Sequence, residues 1–160
     1  MITDPDRRGR ALAEFALAAI PRLWQDVAES GGLADEPPLR HEWECFALYA
    51  CVRGLVAAGG FNRETAAAID AMHESVLEAW SAGDPAAFDA RRARAAERYA
   101  EYGGIGQEGG AAGAATVTAR LGEACARHLR ADDDADLAAL VGAVHEALAE
   151  GAAEAVRIAE

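Results

Sequence analysis

The sequence predicts an all-α protein, a single-domain bundle of about six helices that pack around one central apolar helix. The central helix is predicted over residues 39–58, where apolar side chains point in every direction around the helix axis. Between Trp43 and Ala58 only Glu44 and Arg53 carry a charge. A helix that is apolar all round must be covered all round. No stretch alternates as a strand would, and the 160 residues fit one domain, 1–160.

A cap residue followed by a proline, at residues 3–5, predicts the start of the first helix, which runs to Ser30. Its apolar residues recur at helical spacing: Leu12, Phe15, Ala16, Ala19, Leu23 and Val27. Pro21 lies within this run, and its ring should bend or split the helix. The glycine pair at 31–32 ends it.

Pro38 can serve as the first residue of the central helix, and the glycine pair at 59–60 ends that helix. Asn62 is a good N-cap for the next helix, which we expect over residues 62–82. Because the link between these two helices is so short, an antiparallel hairpin is predicted.

Asp84 and Pro85 predict the start of a basic fourth helix that ends at Tyr102. The next segment, 103–113, holds six glycines in eleven residues and is interpreted as a flexible connector. A fifth helix with an apolar stripe follows, and the acidic break at 131–134 supplies a cap for the sixth.

The last helix carries an apolar seam with alternating steps of four and three residues: Leu137, Val141, Val144, Leu148, Gly151, Ala155 and Ile158. This spacing is the heptad pattern through which helices pair. The seam, and above all Leu137, Val141, Val144 and Leu148, is therefore a candidate interface for a homodimer. It can equally pack inside one chain.

Charge and cysteine content exclude several classes of function. The net charge is -12, and such an acidic chain is repelled by nucleic-acid phosphates. The central helix is too rich in alanine and too charged at its ends for a good membrane span. Three cysteines without paired spacing indicate reduced thiols, and no signal peptide is evident, so a cytoplasmic protein is expected.

The strongest candidate for a ligand site follows from the predicted hairpin. If the chain reverses at the glycine pair, Arg53 faces Asp70, and Tyr49 lies near His73. A cation inside an apolar helix needs a partner, since an unpaired buried charge costs several kcal/mol. Arg53 and Asp70 then form a structural ion pair, or the four residues line a pocket for an anion or small ligand. Exposure of Arg53 to water is the third possibility.

Motifs for catalysis, metals and cofactors are weak. Asp70 and His73 form the one carboxylate-x-x-His pair of the kind used by di-iron bundles, and Cys125-x-x-His128 lacks a second pair for zinc. Residues 104–109 match G-x-G-x-x-G, but a helix rather than a strand precedes them. No serine is placed for nucleophilic attack. We therefore predict no catalytic residue, no metal and no cofactor.

The basic fourth helix offers a second interaction surface. Arg91, Arg94 and Arg98 lie among acidic residues, and they either pair inside the bundle or bind an acidic partner or a phosphorylated ligand. Taken together, the sequence favours a non-catalytic protein that acts through protein–protein interaction, with itself as homodimer or with another protein. The alternative is a small-ligand or metal-binding bundle with its pocket between helices 39–58 and 62–82.

Overall fold

In the computed structural model, which describes residues 4–109, 114–130 and 132–159, every regular element is an α-helix. Six helices lie in these ranges: α1 (Asp4–Gly31), α2 (Pro37–Gly59), α3 (Arg63–Ser81), α4 (Pro85–Gly109), α5 (Ala114–Leu129) and α6 (Ala135–Ala159). The predicted all-α, single-domain bundle is confirmed.

Helix α2 is central, as its composition predicts. It touches every other helix, and its residues 43–48 are all buried. Its most extensive neighbour is α6, which runs parallel to it: the ring of Phe46 packs on that of His145, and Gly54 faces Ala149 and Ala152 further along both helices. The apolar surface of α2 is thereby removed from water along most of the helix, and from residue 43 to its end only Ala57 and Ala58 are exposed. Burial of apolar surface is the dominant favourable term in folding.

Two glycines allow the helices around α6 to approach closely. A Cβ atom on Gly54 of α2 would lie 2.2 Å from the carbonyl oxygen of Ala149, and one on Gly122 of α5 would lie 2.3 Å from that of Ala138. Any side chain at either position would collide with backbone that cannot move independently of its helix. Small residues here are therefore a condition of the packing.

The apolar face of α6 packs within the chain, against α1, α2 and α5. Of the seam residues proposed for a dimer interface, Leu137, Val141 and Leu148 are buried and Val144 is partly buried. Ile158, at the end of the seam, remains exposed.

Helix α3 packs chiefly on α1 and only marginally on α2, so the predicted packing of a tight hairpin is wrong. Gly9 of α1 lies directly against Ala68 and Ala71 of α3. The short link fixes the separation of the helix ends but not which neighbour covers the apolar stripe of α3.

The predicted end of the fourth helix at Tyr102 is also wrong. Helix α4 continues through the first glycines of the 103–113 segment to Gly109. The rest of the predicted connector, 110–113, lies outside the described residues. Glycine lowers helix propensity by about 1 kcal/mol per residue relative to alanine, a cost that packing at Tyr102, which is fully buried, offsets.

Pro21 neither splits α1 nor shortens it, since the helix runs unbroken from Asp4 to Gly31. Its side chain is exposed, so water can reach the carbonyl one turn earlier that lacks a backbone donor. The predicted caps are present: Asn62 accepts from the Thr65 amide at 2.9 Å, and Asp134 accepts from the Leu137 amide at 2.9 Å.

Candidate functional site

The four residues proposed for a pocket do not meet at one point. Arg53 donates to Glu146 of α6 at 3.0 Å rather than to Asp70, so the predicted ion pair is wrong. The carboxylate of Glu146 also accepts from the Thr118 hydroxyl, and this network holds its pKa below the usual value against partial burial. The physical reason is the fold: α6, not α3, runs beside the second half of α2.

Asp70 and His73 instead line a cleft of about 560 Å³ between α3 and α4. It is bordered by residues of both helices: Asp70, His73, Glu74, Leu77, Phe88, Arg92, Ala95, Ala96 and Tyr99. Tyr49 stands behind this cleft, its ring packed on that of Tyr99 at 5.3 Å between centroids. Asp70 and His73 thus line a cleft whose second wall is α4, not the α2 that the sequence predicted.

A hydrogen bond between His73 Nε2 and the Tyr99 hydroxyl, 2.7 Å long, joins the two walls of this cleft. Burial lowers the pKa of His73, with the charge of Asp70 acting in the opposite direction. Burial likewise raises the pKa of Tyr99 well above its usual value. Both groups are thus neutral near pH 7, a state suited to hydrogen bonding and not to nucleophilic attack by a phenolate.

The rim of the cleft carries charges of both signs. Asp70 and Glu74 lie one turn apart on α3, and Arg92 lies on α4. Within the described residues, none of the three forms an ion pair or a hydrogen bond with another side chain. These exposed groups are accordingly free to bind a molecule that enters between the helices.

A second cleft of about 500 Å³ lies on the other flank of α4, toward α2. At its centre Arg91 donates to Glu44 at 3.2 Å, lies 3.2 Å from His41 Nε2, and stands over the Trp80 ring at 5.6 Å. Burial raises the pKa of Glu44, an effect that the charge of Arg91 opposes. The internal bonds of Arg91 leave little of its charge for a ligand.

The arginines proposed for a protein partner serve mainly inside the chain. Arg98 forms a two-point ion pair with Glu42, at 2.6 and 2.8 Å, with side chains only 11% and 15% exposed. Arg94 is different: in the part of the chain that is described, its single ion pair is with Glu97 of the same helix. Arg91 and Arg98 thus bind α4 to α2, and of the three only Arg94 is largely available at the surface.

A group of buried polar atoms next to α2 was missed from the sequence. His145 is fully buried between Phe46 and Tyr49, and no described residue forms a hydrogen bond of ordinary geometry with either ring nitrogen. The hydroxyl of Tyr102 is equally buried and unbonded among the described groups. Burial, reinforced by the charge of Arg53, lowers the pKa of His145 to about 3. The sequence does contain a signal for the burial of His145: it lies four residues after Val141 and three before Leu148, and so falls on the apolar face of α6.

The described residues contain neither a metal-binding cluster nor a helix suited to span a membrane. In that part of the chain, no group of three or more His, Cys, Asp or Glu side chains is arranged to hold a metal ion. Nor does it contain a helix that combines the length and the apolar character of a membrane span.

Comparison with known proteins gave no match. No protein-family model fits the sequence, and neither the curated proteins nor the solved structures include a significant match to it.

Proposed function

We propose that this protein is a small-molecule-binding helical bundle whose binding site is the cleft between α3 and α4. The observation that carries the proposal is a space of about 560 Å³ that combines apolar lining residues with charged groups that have no ion-pair partner among the described residues. Ligand sites are typically concave, mostly apolar and about 300–1,000 Å³ in volume, with a few polar groups that orient the ligand.

The way α4 is attached supports this use of the cleft. Among the described side chains of α4, only those of Ala95 and Tyr102 are buried. Arg91 and Arg98 join the helix to α2 through ion pairs. The rings of Tyr99 and Tyr102 add contacts with Tyr49 of α2. The cleft toward α3 lies beside this attachment.

The electrostatics of the cleft suit the binding of a molecule through hydrogen bonds. Burial keeps Tyr99 protonated and His73 neutral near pH 7, so neither group carries a charge of its own. A neutral histidine hydrogen-bonded to a tyrosine presents a fixed donor and acceptor to a bound molecule.

A matched pair of substitutions on α4 tests the proposal. Ala96 lines the cleft toward α3, and Ala90 lines the cleft toward α2. Both side chains are exposed, so Ala96→Trp and Ala90→Trp should fold equally well. A fragment library screened by ligand-observed NMR should give binders that Ala96→Trp loses and Ala90→Trp retains. If Ala96→Trp retains every binder, or if both variants lose the same binders, the cleft between α3 and α4 is not the binding site.

Three buried free thiols support a location for this binding protein in a reducing compartment such as the cytoplasm. Cys45, Cys51 and Cys125 are each unpaired and buried. Proteins of oxidising compartments usually commit their cysteines to disulfides.

The second candidate is a protein-interaction role, with another copy of this chain as the partner. It is favoured by the two large apolar side chains that remain exposed among the described residues, Phe61 at 86% and Ile158 at 76%. Because α2 and α6 run parallel, both lie toward the same end of the bundle. Light scattering at high concentration should show a dimer that Phe61→Asp or Ile158→Asp dissociates, and a strict monomer would exclude it.

A further inference from the structure

The charged groups around the cleft between α3 and α4 are arranged on opposite walls. The helix spacing of Asp70 and Glu74 places their carboxylates together on α3, and Arg92 lines the cleft from α4. No ion pair joins Arg92 to either carboxylate in the described chain. Each wall therefore presents a charge for which the described residues provide no counter-ion.

This arrangement selects among ligands by charge. A ligand with only a positive charge would leave Arg92 without a partner, and one with only a negative charge would meet the two carboxylates of α3. The net charge of -12 adds a general repulsion for anions. A molecule with an ammonium group and a carboxylate satisfies both walls at once.

Resting on the function proposed above, we infer that the cleft binds a zwitterion of the amino-acid type with an apolar or aromatic side chain. The ammonium group bonds to Asp70 and Glu74, and the carboxylate bonds to the guanidinium of Arg92, which is the natural partner of a planar anion. The side chain of the ligand packs on Leu77 and Phe88, the apolar part of the cleft.

The hydrogen-bonded pair of His73 and Tyr99 completes the site. It lies between the two charged walls, and Asp70 and Arg92 both act on the charge state of His73. These two charges act on the imidazole in opposite directions, and burial keeps it neutral. A neutral pair can form hydrogen bonds with either pole of a zwitterion without competing for the ion pairs.

Three probes test the inference by calorimetric titration at pH 7; they share a phenyl group and differ in the charged groups that they carry. L-Phenylalanine carries both charges, phenethylamine only the ammonium group, and 3-phenylpropanoate only the carboxylate. We expect L-phenylalanine to bind at least about tenfold more tightly than either of the others, the fold-change typical of one lost charge-assisted hydrogen bond. Equal binding of phenethylamine would overturn the inference in favour of a simple amine site.

Variants then assign the two poles. Arg92→Gln should weaken L-phenylalanine about tenfold and leave phenethylamine unchanged, whereas Asp70→Asn should weaken both. Arg22→Gln and Glu64→Gln, at exposed positions away from the cleft, are the matched controls and should change neither. Unchanged L-phenylalanine binding in Arg92→Gln would contradict the carboxylate assignment.

The two proposals fail in distinguishable ways. If neutral fragments bind in the cleft and are displaced by Ala96→Trp, but L-phenylalanine shows no preference over the single-charge probes, the zwitterion inference fails and the binding function stands. If no fragment binds, both fail.

Discussion

Helices α6 and α4 are attached to the central helix by different means. Helix α6 approaches α2 so closely that Gly54 has no room for a Cβ atom, and its buried face is continuous along its length. Helix α4 combines the ion pairs of Arg98 and Arg91 with the packing of the Tyr99 and Tyr102 rings on α2, and clefts lie on both of its flanks. Continuous apolar contact yields a rigid core, whereas attachment that depends in part on long charged side chains leaves space that a ligand can use.

The largest effect is expected where α2 meets α6. Gly54→Ala places a Cβ atom 2.2 Å from the Ala149 carbonyl oxygen, and separating the two helices should cost about 3 kcal/mol of unfolding free energy. Urea denaturation measures this loss of unfolding free energy. Gly104→Ala of α4 is the control, since no atom lies within 4 Å of its Cβ position. That variant should be stabilised by about 0.5 to 1 kcal/mol through helix propensity. Equal effects of the two substitutions would break the contrast between the helices.

The ion pair that binds α4 should contribute less. Arg98→Gln leaves the nearly buried carboxylate of Glu42 without its partner, and we expect a loss of about 2 kcal/mol of unfolding free energy. Arg94→Gln removes an exposed charge of the same helix and should change the unfolding free energy by less than about 0.5 kcal/mol.

A double-mutant cycle isolates the Arg98–Glu42 contact from other effects of the substitutions. Adding Glu42→Gln to Arg98→Gln should recover part of the loss, because the uncompensated charge disappears. Additive losses would mean that the two side chains do not stabilise one another.

A smaller effect, with a pH dependence, is expected at His145. The folded protein keeps this imidazole neutral, with a pKa of about 3, whereas the unfolded chain takes up a proton near pH 6.5. The contribution of neutral His145 to the free energy of unfolding is therefore complete above about pH 6.5. It declines as the pH falls, by about 1.4 kcal/mol per pH unit once His145 of the unfolded chain is protonated.

His145→Phe removes from the core both this titration and two nitrogens that have no hydrogen bond of ordinary geometry with the described residues. It should stabilise the protein by about 1 kcal/mol at pH 7 and by more at pH 5, as measured by urea denaturation at the two values. The contact with Phe46 favours a ring at this position. A pH dependence as steep as that of the unaltered protein would show that other groups carry it.

The sequence predicted the number of helices and where they begin, but it placed the end of α4 too early. Apolar periodicity located their buried faces, an all-round apolar composition identified α2 as central, and residues such as Asn62 and Asp134 marked the starts. These features depend on the local chain, so local patterns report them.

Which helices pack together was not predictable in the same way. For that reason the sequence identified the α3 side of the cleft but not its α4 side. The partner of Arg53 is Glu146, 93 residues along the chain, and nothing near Arg53 specifies it. Burial of apolar surface is non-directional, so an apolar stripe does not determine which helix will cover it. Asp70 and His73 were recognised as neighbours on α3, but the opposite wall of their cleft depended on the position of α4.

The contrast between the two helices extends to the reactivity of the cysteines, where the smallest effect on the folded protein is expected. Cys45 lines the cleft beside α4 and is 8% exposed, whereas Cys51 and Cys125 are fully buried. Burial raises the pKa of Cys45 to about 12, so all three thiols should react far more slowly with iodoacetamide at pH 8 than a free cysteine does.

Local opening of α4 should expose Cys45 without unfolding the core, so mass spectrometry of labelled peptides should find it modified first. Arg98→Gln weakens the attachment of α4 and should raise the labelling rate of Cys45 more than that of Cys125. Global unfolding would raise both alike, so the ratio of the two rates separates local opening from general loss of stability. An unchanged ratio would mean that α4 opens only together with the core, and that its ion pairs do not make it the weaker attachment.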